Sequence, residues 1–71
     1  MIDTRLLKAQ MVLRGVSTDD LAEAEGWSKS TAYRKINGSV AFTVPEMQIA
    51  VAKLLIDDKT AEQIFFSQKM S

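Results

Sequence analysis

This sequence predicts an all-α fold, a compact domain of five short helices, and three observations lead there. Apolar residues recur three and four apart, as in Leu7 and Met11 or Met47, Ala50, Val51 and Leu54, the spacing that lines one side of a helix. Each run is preceded by a side chain able to accept from free first-turn amides: Asp3 or Thr4, Ser17, Ser28, Thr43, and Asp57 or Asp58. Gly15, Gly26 and Gly38 follow three of the runs, where glycine can take the left-handed conformation that ends a helix.

The first helix is expected over Thr4 to Arg14. Leu7 and Met11 share a face, Leu6, Ala9, Val12 and Leu13 widen it, and Arg14 suits the negative end of the dipole. Arg5 and Lys8 either touch a phosphate or are simply solvated. The second helix follows Ser17, with Asp19 and Asp20 in its positive first turn and Leu21, Ala22 and Ala24 as its small apolar side. Gly26 stops it, Trp27 packs in the turn, and Ser28 caps a third helix, Lys29 to Asn37. Two caps and two glycine stops within residues 17–38 describe a helix-turn-helix over residues 17–37.

Thr43 opens the fourth helix, and Thr43-Val44-Pro45-Glu46 reads as a capping box, with Phe42 and Met47 as a hydrophobic staple. Its core stripe, Met47, Ala50, Val51, Leu54 and Leu55, runs to about Ile56. The fifth helix, residues 58–67, carries Ile64, Phe65 and Phe66 side by side, so they cannot all face one way. Either one phenylalanine is core and the other exposed, marking Phe65 and Phe66 as a partner surface, or a chain short of core buries both. The expected core is Leu7, Met11, Leu21, Ala22, Trp27, Ala32, Ile36, Met47, Val51 and Leu54.

The third helix is the least suited to burial. At about 100° per residue, Ala32 and Ile36 form a narrow apolar stripe. Lys29, Ser30, Tyr33, Arg34 and Asn37 spread over an arc of roughly 140° on another side. Residues 28–39 hold Lys29, Arg34 and Lys35 and no acid, whereas the preceding helix holds Asp19, Asp20, Glu23 and Glu25 and no base. Such a helix suits a polar groove, and the major groove of DNA is the natural candidate.

Composition narrows the classes. At 71 residues the chain is expected to be a single domain, residues 1–71, near the lower limit for folding without staples. It has no cysteine and no histidine, which removes disulfides, thiolate metal sites and the commonest general base. Asp19 and Glu23 are four apart like any carboxylates on a wet helix, and no phosphate loop or metal spacing accompanies them. No enzyme activity, cofactor or metal is expected. No apolar run approaches the roughly 18 residues that span a bilayer, and no signal-peptide pattern is present, so a cytoplasmic protein with no membrane partner is expected.

The run from Val16 to Gly38 resembles the helix-turn-helix of the phage lambda repressor and Cro type, also called the xenobiotic-response-element family. Val16-Ser17, Leu21-Ala22, Gly26-Trp27-Ser28 and Ile36-Asn37-Gly38 match its pattern in order and spacing. With Phe42-Thr43, an amphipathic helix and a terminal Ile64-Phe65-Phe66, the chain is also similar to small regulators of Gram-positive phages and prophages. Two departures stand out. Thr18 occupies the place where the family often has glutamine, and Glu25 stands where an apolar residue is usual. Glu25 is expected to swing out and pair with Lys29.

The resemblance implies a lambda-repressor-like five-helix fold and a sequence-specific transcriptional regulator, Cro-like, binding a double-stranded operator as a homodimer. Lys29, Ser30, Tyr33 and Arg34 are the expected base contacts, Arg34 reaching guanine in a bidentate fashion. Tyr33 meets a thymine methyl or a phosphate, or packs locally. Thr18, Thr31, Asn37 and Ser39 are the expected phosphate contacts, although Asn37 equally suits helix termination and residues 38–42 a plain turn. Net charge is zero, whereas DNA-binding domains are usually basic. That balance, the acidic second helix and the terminal phenylalanines admit an alternative, an antirepressor that binds a larger phage repressor.

Overall fold

Five side chains start five helices. In the structure, a computed structural model that describes residues 2–66, they bound α1 (Thr4–Arg14), α2 (Thr18–Glu25), α3 (Lys29–Ile36), α4 (Val44–Leu54) and α5 (Asp58–Phe65). Asp3, Ser17, Ser28, Thr43 and Asp57 each accept a first-turn amide. Ser17 with Asp20, and Thr43 with Glu46, close reciprocal capping boxes. No strand occurs among the described residues, so the fold is all-α, as expected.

The C-terminal ends differ more from expectation. Gly26 ends α2 at φ +77, a left-handed conformation that glycine takes without a Cβ penalty. Asn37 is the C-cap of α3 rather than its last turn. The fourth helix stops at Leu54, two residues before the expected end, with Leu55 left-handed at φ +53. A branched side chain is rare there, which hides such a stop from sequence. Leu55 therefore faces solvent, and Ile56 folds back into the core. Of the expected α5, Ser67 lies outside the described residues.

Seven of the ten expected core residues are buried: Leu7, Met11, Leu21, Ala22, Ala32, Ile36 and Leu54. Trp27, Met47 and Val51 are half-buried against them. Phe42, Ala50, Ile56, Ile64 and Phe65 complete the cluster. Edge-to-face aromatic contacts run from Trp27 to Phe42 (5.3 Å) and from Phe42 to Phe65 (5.1 Å), tying α5 to the turn between α2 and α3. The Asp3 amide donates to the Ile64 carbonyl at 2.7 Å, joining the start of α1 to α5.

Val12 and Leu13 do not widen the core face. They are 82% and 67% exposed, because only the Leu7–Met11 side of α1 meets other helices, and these two residues turn away from it.

Candidate nucleic-acid interface

The α2–α3 pair is locked from behind. Ala32 and Ile36 are buried under α3, while Trp27 in the turn donates its indole N–H to Glu46 of α4 at 2.9 Å. The expected base-contact residues Lys29, Ser30, Tyr33 and Arg34 are all exposed on one side of α3, with Asn37 and Ser39 exposed beyond its end. No acidic residue lies within α3. Lys29 faces Asp19 of α2 at 3.7 Å, with both side chains mostly exposed. Such a surface pair contributes little and yields readily to a competing anion.

Two residues of the α2–α3 pair behave otherwise than expected. Lys35, one of the three cations in residues 28–39, is buried. Its ammonium donates to the Ala41 carbonyl and the Glu46 carboxylate, and lies 5.4 Å from the Trp27 ring centre. It sits on the Ala32–Ile36 side of α3, where desolvation demands a partner. Lys35 is a clamp, and the open face keeps Lys29 and Arg34.

Glu25 does not swing out to Lys29, which pairs with Asp19 instead. Both its carboxylate oxygens are buried with no hydrogen-bond partner among the described residues. Burial, then the nearby Glu46 charge, raise its pKa from 4.5 to about 7, with Lys35 partly opposing them. Glu46 goes the other way. Burial raises its pKa, but hydrogen bonds from Lys35, the Thr43 amide and Trp27 outweigh this and bring it down to about 2.

Thr18 and Thr31 are half-buried. Thr31 is tied into the α3 cap, accepting from the Ser28 hydroxyl at 3.0 Å. Thr18 shares a groove between α1 and α3 with Lys8, Tyr33 and Asn37, over an apolar floor that includes Val16 and Ile36. Arg5 lies beside Asn37 and Gly38 in the adjoining depression. Thus α1 places Arg5 and Lys8 beside the α3 face. Their signal in the sequence is that α1 carries Arg5, Lys8 and Arg14 and no acid.

The expected partner surface divides. Phe65 is only 4% exposed and belongs to the core, because the Phe42 ring and the α1–α5 contact draw it inward. Phe66 is 61% exposed. Among the described residues no three His, Cys, Asp or Glu side chains converge as a metal site, and no helix is long and apolar enough to cross a membrane. No family model matches the chain, and no curated protein matches it.

Proposed function

We propose that this protein binds double-stranded DNA by inserting α3 in the major groove, and regulates transcription as a Cro-like phage or prophage repressor. The observation that carries the reading is an acid-free polar face of α3, holding Lys29, Ser30, Tyr33, Arg34 and Asn37, left exposed while Ala32, Lys35 and Ile36 hold the helix from behind. In this reading Arg34 and Lys29 read base edges, and Ser30 and Tyr33 contact the adjoining bases. Thr18, Thr31, Asn37 and Ser39 set the register on phosphates, and Arg5 and Lys8 add cations along the same strand. A homodimer on a pseudo-palindromic operator doubles the few contacts one copy offers. Occupying a promoter then represses it without catalysis.

Selection of bound sites from random duplexes tests this directly. Arg34→Ala is expected to cost about 1–3 kcal/mol on the selected site and to relax one base position. An equal loss on selected and random DNA would reduce Arg34 to charge neutralisation and remove the sequence-specific reading.

A second reading is kept because Phe66 is exposed and the chain carries no net charge: an interaction module that binds a larger phage repressor, as an antirepressor does. Salt separates the two. Binding through phosphates weakens steeply as salt rises, whereas an antirepressor retains no operator and co-elutes with its repressor.

A further inference from the structure

Between α4 and α5 runs an open groove whose floor is Met47, Val51 and Phe65 and whose apolar rim is Val44 and Phe66. Val44 and Phe66 are both more than half exposed and line the same groove, a contiguous apolar rim rather than scattered residues. Among the described residues, the charged residues lining the groove are Asp58 and Glu62, and no base lines it. None of the exposed α3 residues contributes to it.

From this combination we infer that the α4–α5 groove docks a basic amphipathic segment of another protein. Charge selects this occupant. Two carboxylates at the wall repel a phosphate backbone or an anionic membrane surface. A symmetric second copy brings the same two carboxylates from each partner to one seam, where like charges disfavour contact. An apolar stripe flanked by lysine or arginine satisfies every part of the groove. Its apolar side chains cover Val44, Met47 and Val51, and its cations meet Asp58 and Glu62. A guanidinium can also lie over the exposed Phe66 ring. Met47 on the floor lets the groove adjust to more than one apolar shape. The inference stands independently of DNA binding, since it uses another face.

The test uses the full-length 15N-labelled protein at low ionic strength and two synthetic amphipathic peptides with the same apolar spacing, one flanked by lysine and arginine, one by glutamate. The basic peptide is expected to move the amide resonances of Val44, Gln48, Glu62 and Phe66 and to leave those of Tyr33 and Arg34 in place. The acidic peptide should move none of them. Phe66→Ala should weaken binding about tenfold or more. The double variant Asp58→Lys, Glu62→Lys should reverse the preference, with circular dichroism confirming that the helices persist. Equal shifts with both peptides, or none with the basic one at millimolar concentration, would overturn the inference. So would groove shifts that grow with protein concentration alone, which identify a second copy as the occupant.

Discussion

Glu25 and Lys35 show how one side chain changes role with its surroundings. Glu25 has a folded pKa of about 7 against an ordinary 4.5, so the folded state holds a proton that the unfolded chain has released. Stability is therefore expected to fall as pH rises from about 4.5 through about 7, and to level off above that. Glu46, held at about 2, contributes stability that is present above about 4.5 and is lost as pH drops toward 2. Maximum stability should lie near pH 4.5, and Glu25→Gln should flatten only the alkaline limb. After discounting for solvent reaching the rest of the side chain, the gain at pH 8 is about 1 kcal/mol, read from urea midpoints at pH 5 and 8. Lys35→Ala removes one of three donors to the partly exposed Glu46 carboxylate, which keeps the Trp27 and Thr43 bonds, and is expected to cost roughly 1–2 kcal/mol. Lys29→Ala, on the exposed side of the same helix, should leave stability within about 0.5 kcal/mol. The Thr43–Glu46 box was legible because both partners lie within one turn. The Lys35 and Trp27 bonds to the same carboxylate were not, because they depend on how α3 and its turn meet α4.

Helix starts were legible and helix ends only in part, for a reason visible in the caps. An N-cap announces itself through a serine, threonine or aspartate whose side chain does the bonding. Ser17→Ala and Thr43→Ala are each expected to cost about 1 kcal/mol, measured by thermal unfolding. A C-terminal stop shows in sequence only when glycine supplies it, as Gly15 and Gly26 do. Leu55 makes the same turn with a branched side chain that is 74% exposed, so the apolar run misleads toward Ile56. Leu55→Gly is expected to raise stability by about 0.5–1 kcal/mol, since relief from the left-handed strain outweighs glycine's greater unfolded entropy. The same limit governs α5. Its crowded aromatic end could not be resolved by spacing, and the Phe42 ring decided which phenylalanine turns inward.

For the molecule as a whole, the longest dimension is 33 Å, and half-sites on one face of DNA are about 34–36 Å apart. A single copy carries one α3 and fills one groove, so the DNA-binding reading calls for two copies. Operator mobility shifts with stoichiometry from light scattering should give two chains per pseudo-palindrome. The logarithm of affinity should fall linearly with the logarithm of salt concentration. A zero net charge conceals a segregated layout. Lys35 and Glu46 cancel internally, Asp58 and Glu62 lie along the α4–α5 groove, and Arg5, Lys8, Lys29 and Arg34 gather around α3. That layout was half legible: the cations of α3 showed in the sequence, whereas the placement of Arg5 and Lys8 needed the position of α1 beside Asn37 and Gly38.

Because the anchors beneath α3 and the residues on its outer side are different positions, the outer side can mutate with little penalty to folding. In the DNA-binding reading, exchanging Lys29, Ser30, Tyr33 and Arg34 for another quartet amounts to changing a key's teeth while leaving its shank in the lock, a short path to new preferences on a small scaffold.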